Sequence, residues 1–193
     1  MNPNWTLQRT SRLSELAVSL DEAKNHLRIS GSSQDSEIEL LIEASTEKLE
    51  RDINRGVISS QWIQSMYSFP ADGAPIELMM GMNTAVSSVR YTDTDGNQQT
   101  LGSWTYSQAR GCIFNDSADS VWPEVYSVLG DRVEVTFTCG VNDSGCVPRL
   151  MKQAILLETG RAYFDPAQEN QANTDNGKSY EMIVRKLIRS SYP

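Results

Sequence analysis

The chain has 193 residues, of which 39% are hydrophobic and 22% charged, a composition that favours a packed protein over a disordered one. The formal net charge of −8 argues against a protein whose task is to grip nucleic acid, because phosphate contacts need clustered Lys and Arg. The sequence also lacks the roughly 20-residue apolar stretch of a membrane span and the apolar segment of a secretory signal, so we expect a protein made in a cytosol.

The N-terminal region predicts an arm followed by a short helix. Residues 1–18 show no clear periodicity, and we interpret them as a mobile arm. Ser19 and Glu22 then have the spacing of a capping box, in which the hydroxyl and the carboxylate satisfy free N–H groups of a first helical turn. Gly31 is expected to end this helix.

A second helix is predicted from about Asp35 to Arg55, because apolar residues recur there at 3.6-residue spacing. Gly56 lies where a left-handed C-terminal cap is expected. The opposite face carries mostly acidic side chains: Glu37, Glu39, Glu43, Glu47, Glu50 and Arg51. A solvated or intersubunit face is the preferred interpretation, and an acid–base pair or a metal cluster is the alternative.

The middle of the chain predicts a small β module. Short β-prone segments are separated by turn residues, and Asp95-Gly96 is typical of a hairpin because both residues tolerate positive φ. The predicted strands are WIQSMYSF (62–69), PIELMM (75–80), VSSVRYT (86–92), SWTYS (103–107), GCIF (111–114) and RVEVTFT (132–138).

Helix returns after Val147-Pro148, with Pro148 suited to a first helical position. Residues 165–177 are polar and predict a flexible linker. A last helix is expected over about 178–190, with an apolar stripe from Tyr180 to Ile188. From Lys178 onward the net charge is +3, so an acidic body carries a basic tail.

This order predicts an α+β fold, in which a helical core of about four helices is interrupted by a small antiparallel β-sandwich or barrel. We expect the arm at 1–18, the β module at 58–146, and the helical core at 19–57 together with 147–193. Isolated helices need packing partners, so the two ends of the chain should pack together.

We find no constellation of residues that predicts catalysis, a cofactor or a metal. His26 is the only histidine, and Cys112, Cys139 and Cys146 form no CxxC pair. We interpret His26 as a helix-surface or subunit-contact residue. The tryptophans of the β region could instead stack on a sugar or a base, which leaves a carbohydrate- or protein-binding module as an alternative function.

Several of these segments, in the same order, resemble the tailed-bacteriophage head–tail connector family. SLDEAKNHLRIS (19–30) resembles the opening of the family pattern, and DSEIELLIEASTEKLERDINRGVISSQW (35–62) resembles its long acidic helix before a Trp-containing strand. The chain departs from the pattern at Arg55-Gly56, where the family order is Gly-Arg. The other similar segments are FPADGAPIEL (69–78), VSSVRYTDTDGNQQTL (86–101), VWP (121–123), VEVTFTCGV (133–141) and VPRLMKQAILLETGRAYF (147–164).

The resemblance implies a non-enzymatic virion protein that forms a closed ring of about twelve subunits beneath a portal protein. Such a ring, assembled in the host cytoplasm, would extend the DNA channel without sequence-specific DNA binding and offer a surface to a tail or stopper protein. We expect the portal to contact Lys178, Tyr180, Arg185, Lys186 and Arg189. We expect Glu39, Glu43, Glu47, Glu50 and Arg51 to face the channel lumen or a neighbouring subunit. Another minor virion role, such as a tail terminator, is the nearest alternative.

Overall fold

The computed structural model describes residues 5–80, 84–117, 121–126, 130, 132–165 and 174–189. Over these residues the chain has four α-helices and eight β-strands, all paired antiparallel, which confirms the predicted α+β class. The chain divides into two compact units. Met1–Arg12 and Ser59–Gly140 form the β unit, and Leu13–Ile58 and Val141–Pro193 form the helical unit.

The β unit contains two antiparallel sheets. The five-stranded sheet has the order β1-β2-β8-β4-β5, and the three-stranded sheet has the order β3-β7-β6. The strands are β1 (Trp5–Arg12), β2 (Ser60–Met66), β3 (Ile76–Glu77), β4 (Ala85–Thr92), β5 (Gln98–Thr100), β6 (Trp104–Ser107), β7 (Cys112–Asn115) and β8 (Val133–Cys139).

Strand β1 corrects the expectation of an arm without regular structure, at least over residues 5–12. It pairs antiparallel with β2, from Trp5 opposite Met66 to Arg12 opposite Ser60, with a bulge between Arg9 and Ser11. Trp5 and Leu7 pack against the core of the β unit. The remaining positions are mostly polar, as is common in an edge strand. The sequence therefore lacks the apolar alternation that would have predicted a strand here.

Both sheets contribute side chains to one hydrophobic core. Alternate residues of β2 and β8 are buried, as expected for strands with one face turned inward. Phe137 of β8 is fully buried, and Ile76 and Ile113 join it from the three-stranded sheet. Of the predicted sandwich or barrel, two antiparallel sheets around one core agree with the sandwich.

The hairpin predicted at Asp95-Gly96 joins β4 to β5. Asp93 organises the turn, since its Oδ1 accepts hydrogen bonds from the backbone N–H groups of Asp95 (3.1 Å) and Asn97 (2.8 Å). Gly96 adopts φ +86°, which a residue without a Cβ tolerates well.

The helical unit consists of α1 (Leu20–Leu27), α2 (Asp35–Ile53), α3 (Arg149–Phe164) and α4 (Thr174–Arg189). Helix α3 packs on the other three helices, and α2 also contacts α1 and α4. Helices from both ends of the chain therefore form one packed body. Ion pairs join α1 to its neighbours, Lys24 to Asp35 at 2.6 Å and Lys152 to Glu22 at 2.8 Å.

The helix ends match the sequence expectation at one site and differ at three. Ser19 and Glu22 form the predicted capping box. Helix α1 ends at Leu27, and its left-handed C-cap is Arg28 (φ 59°) rather than Gly31. Helix α2 ends at Ile53, and its left-handed C-cap is Asn54 (φ 53°) rather than Gly56. Asn is one of the few L-residues that visit this region routinely. Pro148 precedes the first helical residue of α3, Arg149, instead of occupying it.

The polar segment predicted as a linker lies only in part within the described residues. The backbone N–H of Asp165 donates to Arg161 at the end of α3, residues 166–173 lie outside the described part, and α4 begins at Thr174 rather than near residue 178. None of the helices in the described ranges combines the length and the apolarity that crossing a bilayer would require.

Candidate assembly surfaces of the helical unit

Helix α2 presents a largely acidic face away from its buried stripe. Ile38, Ile42 and Leu49 are buried, whereas Glu37, Glu39, Glu43 and Arg51 are exposed and Glu47 is half-buried. Leu40 lies on this outward side and is 65% exposed. Four of the five predicted interface or lumen residues (Glu39, Glu43, Glu47 and Arg51) are therefore accessible in the chain.

Glu50 does not belong to that face. It is 1% exposed, and its Oε1 accepts hydrogen bonds from the backbone N–H groups of Val57 (2.8 Å) and Ile58 (3.4 Å). The expectation that Glu50 faces the lumen or a neighbouring subunit is thus not met, because its carboxylate anchors the backbone that follows α2. Val57 also accepts a hydrogen bond from the N–H of Val141 (3.0 Å), and Ile58 pairs with Val141 in a parallel bridge.

The apolar stripe of α4 is buried within the chain. Tyr180, Ile183 and Leu187 are buried, with Tyr180 only 4% exposed. Of the two interpretations of this stripe, packing on the chain's own helices is the one observed. Tyr180 is accordingly not available as a docking residue for a portal protein.

Tyr180 is held by two charged side chains of α2. Its hydroxyl donates a hydrogen bond to Asp52 (2.7 Å), and the Lys48 ammonium lies 3.8 Å from the centre of its ring. Burial, with a further contribution from the Asp52 hydrogen bond, raises the pKa of the Tyr180 hydroxyl well above its usual range. The side chain therefore stays a neutral donor.

Buried polar groups continue this network between α2 and α3. Glu158 is buried and forms ion pairs with Arg161 and, at 3.5 Å, with Lys48. The Glu158 hydrogen bonds raise the pKa of the Arg161 guanidinium. Thr159 donates to the hydroxyl of Ser45 at 3.1 Å. Several specific contacts thus fix how α3 lies on α2.

The outward side of α4 is basic. Lys178, Arg185 and Lys186 are exposed, and Met182 lies between them with 59% of its surface accessible. Arg185 forms a long, exposed ion pair with Glu181 (3.7 Å), an arrangement that contributes little energy. Arg189 lies in the last turn of α4, and its side chain is outside the described part of the structure.

The residues considered for chemistry are dispersed. His26 is exposed on α1, and its ring lies near Gly160 of α3. Cys112 and Cys139 are buried and Cys146 is exposed, all three as free thiols; burial raises the pKa of the Cys112 thiol. Within the described ranges no three His, Cys, Asp or Glu side chains come together as a potential metal site.

The tryptophans of the β unit serve its interior. Trp62 and Trp122 are buried, while Trp104 is partly buried against the same core. Trp122 stacks on Phe69 at a ring-centre distance of 5.0 Å, and its indole N–H donates to the carbonyl of Ala74 (2.7 Å). This packing disfavours the alternative in which the tryptophans form a ligand platform.

The fold is shared with solved proteins of gene transfer agent particles. A chain in the structure titled "Virion of native gene transfer agent (GTA) particle" is 18% identical, with a TM-score of 0.75 over 97% of this chain and 95% of the other. A chain in "Neck of empty GTA particle computed with C6 symmetry" is 18% identical, with a TM-score of 0.72 over the same fractions. A chain in "Neck of native GTA particle computed with C12 symmetry" is 19% identical, with a TM-score of 0.73 over 94% of each chain. These three likenesses show that the chain shares its fold with chains of such particles.

Part of the sequence matches a known family. Residues 17–109 match the family described as phage gp6-like head-tail connector protein. This match confirms the resemblance to head–tail connectors noted in the sequence. No curated protein matches the chain.

Proposed function

We propose that this chain is a structural ring subunit of a virion, placed under the portal at the head–tail junction, where it extends the channel through which DNA passes. The main support is that almost the entire chain, β unit included, has the fold of chains in particle necks. The family match at residues 17–109 supports the same role.

A closed ring agrees with the rotational symmetry of two structural neighbours. Two of them come from necks computed with C6 and C12 symmetry. Head-to-tail contacts between identical chains close into a ring when the rotation per subunit divides the circle evenly. For this chain we propose a ring of about twelve copies, assembled in the host cytoplasm and retained in the virion.

The charge of the chain fits a channel that DNA traverses without binding. The net charge is −8, and the exposed Glu39 of α2 adds to the acidic surface. An acidic wall releases no phosphate counterions, so it gains none of the free energy that holds basic proteins on DNA. No catalytic role is part of this proposal.

The portal above and a tail or stopper protein below are the proposed partners of the ring. That the portal contacts Lys178, Arg185, Lys186 and Arg189 remains a prediction. All four belong to α4 and the first three are exposed, as a contact with either the portal or a neighbouring copy requires. Tyr180 is removed from this set because it is buried.

Imaging the purified chain after mixing with its cognate portal tests the proposal. We expect a ring of density on one end of the portal that is absent when either protein is omitted. A portal that stays bare at protein concentrations well above those of assembly would refute the proposed function.

A further inference from the structure

The outward sides of α2 and α4 carry opposite charge, and each has an exposed apolar side chain among its charged residues. The α2 acidic face consists of Glu37, Leu40 and Glu43, and the α4 basic face consists of Lys178, Met182, Arg185 and Lys186. In both, one large apolar side chain lies in the middle, 65% exposed for Leu40 and 59% for Met182. Charged residues three or four positions away lie beside it on the same side of the helix.

These two faces do not meet within one chain. Helix α4 contacts α2 through Tyr180, which lies against Lys48 and Asp52 near the C-terminal end of α2. Leu40 is about 18 Å from Asp52 along the helix axis, given the rise of an α-helix. Moreover, Tyr180 is on the buried side of α4, opposite Met182. Within the described part of the chain the two faces are thus separate, and Leu40 and Met182 at their centres are exposed.

We propose that the α2 acidic face of one copy binds the α4 basic face of the next copy, with Leu40 packed against Met182. This inference rests on the proposed ring function and names the contact by which the ring propagates. An exposed apolar side chain surrounded by charge resembles the arrangement of a protein–protein hot spot and its polar rim. The contact uses different surfaces on the two partners, which is the head-to-tail geometry that a ring requires.

A second copy explains the surfaces better than a lumen or a portal does. A lumen lined by Leu40 would expose an apolar side chain to DNA and solvent without compensation. A portal contact would account for the α4 basic face only. A neighbouring copy accounts for both faces with one interaction, and opposite charges orient the encounter.

Cysteine crosslinking tests the contact directly. In a Cys146→Ser background, which removes the exposed thiol, chains carrying Leu40→Cys are mixed with chains carrying Met182→Cys and oxidised, both alone and on the portal. We expect a disulfide-linked dimer from the mixture, and a ladder of higher oligomers from a chain carrying both substitutions. Leu40→Cys mixed with Leu150→Cys, a 43% exposed residue of α3, is the matched control.

Charge exchange supplies an independent readout that misfolding cannot imitate. Glu37→Lys with Glu43→Lys, or Lys178→Glu with Lys186→Glu, should each abolish crosslinking, since like charges then face each other. Mixing the two reversed chains should restore it, because every contact in an alternating ring again joins opposite charges. Circular dichroism should show unchanged melting for both, since all four residues are exposed.

The outcomes separate the two proposals. If a ring forms on the portal but Leu40→Cys and Met182→Cys crosslink no more than the control pair, the contact is wrong and the ring function stands. Crosslinking of Met182→Cys to the portal would assign the α4 basic face to the portal and also overturn the inference. If the unmodified chain forms no ring on the portal, the proposed function itself fails.

Discussion

The two units of this protein differ in what they bury. The β unit buries aromatic and aliphatic side chains, and its buried polar residues (Ser60, Gln64 and Thr84) are neutral. Gln64 exchanges hydrogen bonds with the backbone at Glu77 (2.8 Å) and Met79 (3.0 Å). The helical unit instead buries carboxylates, namely Glu50, Glu158 and Asp165.

This difference follows from how each kind of element satisfies its backbone. Strands obtain their register from the ladder of hydrogen bonds between them. Helices complete their hydrogen bonds internally, so their mutual placement depends on side chains alone. We infer that the buried charges of the helical unit fix how its helices lie together, at a cost in desolvation.

Replacing Phe137, in the middle of β8, is expected to have the largest effect. Phe137→Ala removes a fully buried ring and should lower the free energy of unfolding by about 3–5 kcal/mol. All four tryptophans belong to the β unit, so the shift should appear in the tryptophan fluorescence transition during chemical unfolding. Tyr67→Ala, at an exposed position, is the control and should change stability by less than about 0.5 kcal/mol. Equal shifts for the two variants would contradict an apolar core centred on β8.

The second-largest effect is expected from replacing Glu50, a buried carboxylate of the helical unit. Glu50→Ala leaves the N–H groups of Val57 and Ile58 without their buried acceptor and should cost about 3 kcal/mol. Glu50→Gln keeps an acceptor oxygen and should cost less. The measurement is the urea midpoint followed by far-ultraviolet circular dichroism, which reports the helices. Glu43→Ala on the exposed side of α2 is the matched control, and a Glu50→Ala variant as stable as Glu43→Ala would show that the buried carboxylate has no anchoring role.

The smallest expected effect concerns the Tyr180 hydroxyl. Tyr180→Phe keeps the ring near Lys48 but removes the hydrogen bond to Asp52, at a cost of about 1 kcal/mol. Asp52→Asn in the same background should then add little, and this coupling is measured by a double-mutant cycle. Tyr163→Phe, which loses a bond to the neutral Gln34, should cost less still. Additive losses for Tyr180 and Asp52 would contradict a direct interaction.

The sequence predicted those features whose cause is local. The Ser19–Glu22 capping box, the hairpin at Asp95-Gly96 and the periodicity of α2 all depend on residues within a few positions of one another. The sequence did not predict strand β1, because Trp5 and Leu7 are the apolar residues that mark its inward face. The remaining positions are polar, as expected at a sheet edge.

The candidate surfaces were predicted less completely, for a physical reason. Glu50 looked like its exposed neighbours because it lies at the border of the apolar stripe, and its partners Val57 and Ile58 come after the helix has ended. Tyr180 was correctly placed on an apolar stripe, but only the packing of α4 shows that Asp52, distant in sequence, binds it. Burial and long-range partners are products of the tertiary fold, which periodicity does not report.

The bridge between Ile58 and Val141 bears on how the chain can be divided. The backbone leaves the helical unit after Ile58 and returns to it at Val141, two residues about 5 Å apart as in any strand pair. Because the bridge is parallel, joining them directly needs a longer connection than the two-residue turn of an antiparallel hairpin. Insertions are tolerated where their ends come together, and residues 59–140 fit that description as an exchangeable cassette. The edge strand of this unit nevertheless comes from residues 5–12, which pair with β2. Removing the whole β unit therefore requires the excision of two separate segments of the chain, residues 5–12 as well as residues 59–140.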